Sequence, residues 1–485
     1  MADFYMIHRD SKSGTILSKA LILILAVFTA YLICLNFLFC VRYEALLFVF
    51  LVIPVFVIIY FISYKWHISP IAFTIAIFIL AVLSKSILVL LTDTKPVSDF
   101  NTFYSNAVRL VHGDKSFAKD IYFRTWAYQT GPVIYYALFM KLFGTAILPL
   151  KLVNCFFMAV TNTLVYLTAR KISNEYTARF AALLYLMYPA PYFLAGVLTN
   201  QHFAACMFLA AIYILMLEQL NWGVRGIIAG LLMSFGNTVR PLGIVIISAV
   251  IIWGIIEAVR LKKAGKICVT VLLVVTYLAV NFGISTIVKS TDINPEGLVS
   301  NFPMWKFVLG FNDSTKGQFS YDDQHKIFEI QDFNKRNVVA KQVIKQRLSI
   351  GVPRLASLLN MKQAVMWAGF DTLKWGFYNQ VNGDLLPSKE LKKYEPYILK
   401  TEKMYYILIF ILMFSGLCNS LANQQINNSI LLLSLVLLCY FGAHVLIEVQ
   451  VRYRYFAVIL IFILAAKGSE FLFDRFRTNK DLLIS

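Results

Sequence analysis

A single carboxylate lies in the segment KPVSDFNTFY, residues 95–104, which follows a long apolar run ending near Thr92. Small polar and aromatic residues surround this aspartate, Asp99, and a carboxylate in such a place could accept a proton from a hydroxyl group. The alternative is a helix cap, in which Asp99 or Ser98 accepts from the first amides of a helix through NTFYSNAVRLVHG. An aspartate can also cap a helix and still expose one oxygen to a cleft.

Three arginines lie where apolar runs begin or end. Arg452 and Arg454 belong to EVQVRYRYF at the start of the last run, and Arg240 belongs to GNTVRPLG, a proline-broken joint between two runs. An arginine at the edge of the hydrocarbon is costly unless it is paired, and its planar fork matches the oxygens of a phosphate group. The alternatives are snorkelling or pairing with Glu448 for the first two, and a backbone carbonyl partner for Arg240.

Membrane-spanning helices are the elements that must position these residues. Hydrophobic residues make up 59% of the 485 residues, the mean hydropathy is +0.69, and repeated apolar runs of about 20 residues predict an all-α polytopic membrane protein. The seven cysteines lie in or beside these runs without CxxC spacing, which indicates buried apolar residues rather than metal ligands. The twelve predicted spans are 20–40, 44–64, 70–92, 147–169, 176–195, 201–219, 224–238, 241–259, 267–289, 403–420, 428–446 and 453–470.

The net charge of +19 is explained by basic loops that set the orientation in the membrane. With twelve spans, the basic clusters before the first span, at 170–179, at 260–266 and after the last span fall on one side. The positive-inside rule makes that side cytoplasmic. The run 130–144 is too short to span, so we expect an interfacial or re-entrant helix there.

Two large loops then face outward, residues 93–146 and residues 290–402, and they share that face with Asp99, the three arginines and Lys141. The second loop is too long for a structureless connection and should hold several helices. Its stretch 334–359 alternates basic and apolar residues, as a helix on anionic head groups would, whereas YDDQ at 321–324 reads as a solvated turn. The predicted division is a transmembrane module 1–289, an outer loop domain 290–402 and C-terminal helices 403–485.

Several segments resemble the GT-C glycosyltransferases, which include dolichyl-phosphate-mannose protein mannosyltransferases and the aminoarabinose transferase that modifies lipid A. They are SDFNTFYSNAVRLVHGD, GPVIYYALFMKLFGTAILPLKLVNCFFMAVTNTLVYLTARKIS and ARFAALLYLMYP, and the later pieces GNTVRPLG, MWKFVLGFNDSTKGQFSYDD and VRYRYFAV are similar to bacterial members. The resemblance covers most of residues 70–470. It implies a GT-C-like fold, with juxtamembrane helices in the first outer loop and a large helical outer loop. Protein mannosyltransferases often show two adjacent acids in that loop, whereas Phe100 follows Asp99 here.

The resemblance implies an enzyme that moves one sugar from a polyprenyl-monophosphate carrier to an extracytoplasmic acceptor. Asp99 would be the general base of a single displacement with inversion, and the leaving phosphate needs cations placed in advance. The predicted donor-phosphate ligands are Arg452, Arg454, Arg240 and Lys141, although snorkelling is an alternative for Lys141. No metal or other cofactor is expected, because guanidinium groups can supply the positive charge.

Sugar or acceptor contacts are predicted from aromatic and polar residues on the outer face. They are Tyr104, Tyr128, Tyr135, Tyr136, Asn200, Gln201, His202, Trp305 and Asn312. The alternatives are an interfacial aromatic belt for the tyrosines and an ordinary polar span end for residues 200–202.

Two other classes of membrane protein stay open. A lipid-linked polysaccharide polymerase or ligase would share the outer arginines but use a diphosphate-linked oligosaccharide. A transporter or flippase would need charges in the middle of spans, where Lys85 is the main example. We expect both termini in the cytoplasm and the site on the outer face of a bacterial plasma membrane, with the lipid-linked donor, the acceptor and membrane lipids as partners and no nucleic acid.

Overall fold

The structure, a computed structural model, describes residues 12–484 except 93, 262–264, 372, 374–375, 377–378, 382–383, 387–388 and 425. Its described secondary structure is helical apart from one antiparallel pair of short strands, β1 (Asn379–Val381) and β2 (Asp384–Leu386). The predicted class, an all-α polytopic membrane protein, is therefore confirmed.

The helices follow one another in a long chain of spans and short surface segments. They are α1 (Lys12–Arg42), α2 (Val49–Lys65), α3 (Pro70–Leu91), α4 (Asp99–Val111), α5 (Ile121–Thr125), α6 (Thr130–Phe143), α7 (Ile147–Ala169), α8 (Glu175–Met187), α9 (Pro189–Ala195), α10 (Gln201–Leu215), α11 (Trp222–Val239), α12 (Gly243–Leu261), α13 (Gly265–Ser290), α14 (Trp305–Gly310), α15 (Tyr321–Phe328), α16 (Phe333–Leu348), α17 (Val352–Gln363), α18 (Lys389–Ala422), α19 (Asn428–Leu446) and α20 (Tyr455–Ile484). Short 3-10 segments lie at Leu46–Phe48, Ser116–Lys119, Ala127–Gln129 and Val451–Arg454, and a π-helical turn lies at Ala364–Ala368.

Eight of the described helices are long and apolar enough to cross a membrane, namely α1, α2, α3, α7, α12, α13, α18 and α19. They coincide with eight of the twelve predicted spans. The other four predicted spans are also helical, but α10 has only 15 residues and the segment 176–195 is interrupted. There α8 ends at Met187 and α9 begins at Pro189, because proline lacks the amide and disfavours a helical residue before it. The count of twelve stays a prediction.

The short run after the first outer segment forms the helix α6, which has 14 residues, as its length predicted. This helix packs closely on α11, since a Cβ added at Gly131 would lie 1.7 Å from the carbonyl oxygen of Thr238. Glycine is therefore required at this crossing, which holds the first outer loop against the spans.

The second outer loop has its own small core beneath α14, α15 and α16, built from Phe302, Trp305, Val308, Leu309, Ile327 and Ala340. The buried guanidinium of Arg336 lies over the rings of Phe302 and Phe328 and donates to the carbonyl of Ile330 at 2.7 and 2.9 Å. The loop is therefore folded, as its length predicted.

The expected solvated turn at 321–324 is wrong. These residues begin α15, whose cap is Ser320, and the Asp323 carboxylate binds the guanidinium of Arg347 at 2.7 Å. The side-chain amide of Asn312 donates to the same carboxylate at 2.7 Å. Burial opposes ionisation of Asp323, but these donors hold its pKa below the usual value.

The two outer loops are joined to each other and to the chain before α20. The amide of Asn301 donates to Thr125 and the amide of Tyr128 donates to Val299, at 3.0 and 3.1 Å. On the other side, the amide of Glu448 donates to the carbonyl of Lys306 at 2.9 Å. These main-chain bonds bring residues from three distant parts of the sequence into one outer layer.

Basic clusters gather at the opposite end of the bundle. Lys266 pairs with Glu218 at 2.9 Å, and the guanidinium of Arg260 binds the side-chain oxygen of Asn428. The predicted order of spans requires these basic residues to lie on one side of the bundle. That this side faces the cytoplasm stays a prediction. Within the spans, the buried ammonium of Lys85 lies 4.7 Å from the ring centroid of Tyr192.

Helices α18 and α20 cross at a pair of glycines. A Cβ added at Gly468 would lie 1.7 Å from the carbonyl oxygen of Leu412, and one added at Gly416 would lie 2.6 Å from the amide nitrogen of Gly468. Small residues let the backbones of membrane helices approach closely. This contact fixes the helix that follows Arg452 and Arg454.

We expect Gly468→Ala to destabilise the protein by about 1–3 kcal/mol, the usual cost of overpacking a close contact. The measurement is the melting temperature of the purified protein in detergent. Gly442→Ala in α19 is the matched control, because a Cβ there meets no atom within 4 Å. Equal melting temperatures for the two variants would contradict the assigned close approach.

Candidate active site

Asp99 is the first residue of α4, and its side chain is 43% exposed. The hydroxyl of Tyr122 donates to Oδ1 at 3.5 Å, and Nη2 of Arg452 lies 3.8 Å from Oδ2. Within the described chain, Ser98 makes no side-chain cap bond, so the simple capping interpretation does not apply to it. Ser98 also has φ +52° and ψ −136°. Such a backbone conformation costs about 1–3 kcal/mol in a residue other than glycine, and it is found most often at functional sites.

The segment before Asp99 is held by a buried lysine. Nζ of Lys151, on α7, donates to the hydroxyl oxygen of Thr94 at 2.8 Å and also to its carbonyl. The Thr94 hydroxyl in turn donates to the carbonyl of Gly196 at 2.7 Å, at the end of α9. Two helices therefore fix the loop that presents Asp99.

Arg452 is oriented by a chain of polar side chains that reaches the second outer loop. Its Nε donates to Oε1 of Gln450 at 2.7 Å, and Nε2 of Gln450 donates to Oε1 of Glu448 at 2.7 Å. The other carboxylate oxygen of Glu448 binds the ammonium of Lys306 and accepts from the hydroxyl of Tyr453 at 3.2 Å. Glu448 therefore pairs with Lys306, whereas the sequence suggested a pairing with Arg452 or Arg454.

The surroundings of Glu448 and Lys306 favour the charged form of both side chains. Burial opposes ionisation of Glu448, but the Lys306 ammonium and the donors around it hold its pKa below the usual value. Burial likewise opposes the charge on Lys306, but Tyr453 and Glu448 raise its pKa. The ion pair thus keeps its charges near neutral pH, and Gln450 is held between it and Arg452.

Arg240 lies beside this chain with unused hydrogen-bonding capacity. Its guanidinium lies over the ring of Tyr453, at 5.5 Å from the centroid, and reaches Oδ1 of Asn200 at 3.5 Å. Burial lowers its pKa, and no carboxylate of the described residues lies within ion-pair distance of it. Arg240 is half-buried, and a cation at such a site is stabilised by an anionic partner.

Arg454 differs from Arg452 in that its guanidinium is buried and already paired. It lies 3.2 Å from Oδ2 of Asp371 and 3.6 Å from Oε1 of Glu402, and it donates to the carbonyl of Gly369 at 3.0 Å. Residues 451–454 form a 3-10 turn, in which side chains two apart project about 120° apart. One arginine therefore faces Asp99 and the other faces the interior.

A cleft opens between the break that separates α8 from α9 and the start of α20. Its lining residues are Tyr185, Tyr188, Ala190, Pro191, Leu194, Asp371, Val451, Arg452, Arg454, Tyr455 and Val458. The wall is mostly apolar, with the two arginines and one aspartate as its charged groups. The volume of the cleft is about 10 Å³, which is close to the space of one water molecule.

Two of the predicted tyrosines lie close to this network or its supports. Burial raises the pKa of Tyr128, and its phenol lies near enough to Lys306, Glu448 and Asp99 to interact with their charges. The hydroxyl of Tyr104 donates to the carbonyl of Thr145 at 2.8 Å. Tyr104 therefore anchors α4 to the chain before α7.

Most of the other residues that were predicted to contact the sugar or the acceptor form hydrogen bonds within the protein or are buried. The hydroxyl of Tyr135 donates to Asn154 at 3.4 Å, and Asn200 donates to the carbonyl of Val239 at 2.7 Å. His202 is buried between the hydroxyl of Tyr455 and the carbonyl of Leu194. Tyr136, Gln201, Trp305 and Asn312 are buried, and Lys141 is exposed near the end of α6.

Sequence reasoning missed Tyr122, Lys306, Asp371 and Glu402 as partners of the site. Each lies far along the chain from the charge it contacts, so no local pattern marks it. Within the described residues, no group of three or more His, Cys, Asp or Glu side chains could hold a metal ion. The predicted metal independence and the predicted residue roles stay predictions.

We expect Arg454→Ala to lower stability far more than Arg452→Ala. Removing Arg454 leaves the buried Glu402 carboxylate without its cation, which generally costs about 3–5 kcal/mol, whereas the pair of Arg452 with a half-exposed Asp99 contributes less than about 1 kcal/mol. Thermal melting in detergent measures the difference. Equal losses in the two variants would show that Arg454 is not the structural member of the pair.

A family model described as dolichyl-phosphate-mannose-protein mannosyltransferase matches residues 130–282, from the start of α6 into α13. None of the curated proteins compared with the chain matches it. Among solved structures, the Archaeoglobus fulgidus oligosaccharyltransferase tethered with an acceptor peptide is 13% identical, with a TM-score of 0.49 over 84% of this chain and 50% of that one.

A second solved structure, the A. fulgidus oligosaccharyltransferase AglB in complex with an inhibitory peptide and a dolichol-phosphate, is also 13% identical. Its TM-score is 0.48 over 87% of this chain and 52% of that one. The chain thus spans about half the length of these solved proteins. The family match covers about a third of the chain and contains Asn200 and Arg240. It agrees with the motifs around residues 130–195, and over residues 130–282 the chain is similar to a family of membrane glycosyltransferases.

Proposed function

We propose that the protein is a glycosyltransferase that moves a single sugar from a polyprenyl-monophosphate carrier to an extracytoplasmic glycan, lipid or protein. One observation carries the proposal: the carboxylate of Asp99 and the guanidinium of Arg452 lie 3.8 Å apart, and Arg452 also lines a mostly apolar cleft. A proton acceptor and a phosphate ligand are the two groups that such a transfer needs on one face. The matched family description names a dolichyl-phosphate-linked sugar, which supports a polyprenyl carrier.

In the proposed reaction, Asp99 takes the proton of an acceptor hydroxyl while that oxygen attacks the anomeric carbon. The bond from the anomeric carbon to the phosphate oxygen breaks on the opposite face, so the configuration inverts. The electron pair leaves with the lipid phosphate, whose growing charge is stabilised by Arg452 and Arg240. Guanidinium groups supply this charge, and the scheme needs no metal ion.

The apolar residues of the cleft are the surface that the first isoprene units of the carrier would contact once the cleft has widened to admit them. Pro191, Leu194 and Val458 are among these apolar residues, and Arg452 is one of the two arginines that line the same cleft. Arg454 supports the wall from inside through Asp371 and Glu402. We therefore assign donor contact to Arg452 and Arg240, and a supporting role to Arg454.

We expect Asp99→Asn to reduce transfer by at least about a hundredfold, since a positioned general base typically contributes 10²–10⁴-fold. The measurement is release of labelled sugar from a panel of polyprenyl-phosphate sugars by the purified protein. Asp120→Asn is the matched control, because Asp120 is an exposed acid of the same outer loop. Near-normal turnover of Asp99→Asn would remove the base assignment, and consumption of only diphosphate-linked oligosaccharides would favour a polymerase or ligase.

Arg240→Gln should raise the apparent KM for the donor by about tenfold or more, since a charge-assisted contact contributes roughly 1.5–3 kcal/mol. The acceptor KM should change little, because the guanidinium is assigned to the phosphate. Lys119→Gln is the control, as Lys119 is an exposed cation of the first outer loop. An unchanged donor KM for Arg240→Gln would return Arg240 to a purely structural role.

A further inference from the structure

The two helices α16 and α17 carry an unusual charge for an outward loop. Residues 333–363 contain seven basic residues and no acidic residue. Three of the seven are turned inward, where Arg336 and Arg347 stabilise the loop core and Lys362 donates to the carbonyl of Val445 at 2.6 Å. The other four are exposed, namely Lys335, Lys341, Lys345 and Arg354.

Apolar side chains share the exposed surface with these cations. Val338, Leu348 and Val352 are 54%, 44% and 81% exposed. Within α16, residues 338, 341, 345 and 348 follow the spacing of three and four that places side chains on one helix face. The opposite face, with Ala340 and Ile344, packs on the loop core. One face of α16 is thus both basic and apolar.

The far end of α17 reaches the membrane-spanning bundle. The hydroxyl of Tyr31, inside the spanning helix α1, donates to Oδ1 of Asn360 at 2.6 Å. Val352 is eight residues before Asn360 in the same helix, which is a distance of about 12 Å along the axis. The corner between the helices, residues 345–354, is therefore about two to three helical turns from a residue that contacts a spanning helix.

We propose that this basic corner, residues 345–354 with the adjoining Lys341, binds anionic lipid head groups of the outward-facing leaflet. In this arrangement Leu348 and Val352 insert at the boundary of head groups and acyl chains, while Lys341, Lys345 and Arg354 contact the phosphates. A soluble polyanion such as an acidic acceptor polymer offers phosphates but leaves the apolar side chains in water. The mixture of exposed side chains therefore favours lipid over polymer.

This binding surface is independent of the proposed transfer reaction, because it uses none of the residues assigned to it. If the corner is attached to the leaflet, it restrains the position of the second outer loop. Lys306 of that loop contacts Glu448, which is connected through Gln450 to Arg452. Its test accordingly uses lipid contact as the readout and needs no activity.

The full chain with Val352→Cys is labelled with a polarity-sensitive fluorophore and placed in nanodiscs that contain lipid-borne nitroxide near the head groups. Identically labelled protein without this substitution gives the background from the native cysteines. Quenching should be at least about twofold greater in discs with phosphatidylglycerol than with phosphatidylcholine alone, since each basic residue near an anionic surface adds to the attraction. High salt should remove the difference, because the Debye length falls to about 3 Å at 1 M.

Lys341→Gln with Lys345→Gln should bring the quenching in anionic discs down to the zwitterionic value. Lys115→Gln with Lys119→Gln is the matched control, since both are exposed lysines of the first outer loop, and it should leave quenching unchanged. Equal quenching in the two kinds of disc, or an equal loss in the control, would overturn the proposal. So would a label that responds to soluble polyphosphate but to neither lipid.

Discussion

Charged groups at the edge of a low-dielectric bundle must be matched by other charges, and this constraint organises the outer end of the protein. The cost of an unmatched buried ion is several kcal/mol even after relaxation, which is large beside a total stability of about 5–15 kcal/mol. Arg454 is matched by Asp371 and Glu402, and Lys306 is matched by Glu448. Arg240 lies beside them with a tyrosine ring and an amide oxygen as its contacts.

The matched pairs also connect parts of the chain that are far apart in sequence. Glu448 joins the second outer loop to the start of the last helix, and Arg454 joins that helix to α18 through Glu402. Main-chain bonds from Asn301 and Tyr128 attach the first outer loop to the second. Because all three connections converge near residues 448–454, the distance between Asp99 and Arg452 is fixed by the packing of the whole outer layer.

Hydropathy predicted the helical class and the long spans, because burial in lipid requires a continuous apolar run whatever its neighbours are. The order of the predicted spans also predicted Asp99, Arg240 and Arg452 on one face, since the charges of the loops determine which side of the membrane each loop faces. Hydropathy did not predict that Arg452 faces Asp99 while Arg454 faces the interior, because their orientations depend on a 3-10 turn of four residues. Nor did it find Asp371 or Lys306, whose partners are more than 80 residues away.

Several residues that were predicted to contact sugar or acceptor are engaged within the protein, and their roles stay predictions. Trp305, Asn312 and His202 are polar or aromatic residues near predicted outer ends, and composition alone cannot tell a ligand contact from a core contact. Trp305 packs in the loop core, Asn312 holds Asp323, and His202 bridges a hydroxyl and a carbonyl. Asn312 and His202 thus form their hydrogen bonds inside the protein, as most buried polar groups do.

The long contact between Asp99 and Arg452 has a different meaning from the short pairs around it. At 3.8 Å the charges attract, with an energy of roughly 1 kcal/mol in water and about 4 kcal/mol at an effective dielectric constant of 20, but the groups are too far apart for a good hydrogen bond. Under the proposed function, the donor phosphate competes with Asp99 for the guanidinium of Arg452. A pair that is too long for a good hydrogen bond suits that role better than a tight one, because less interaction has to be broken when the phosphate binds.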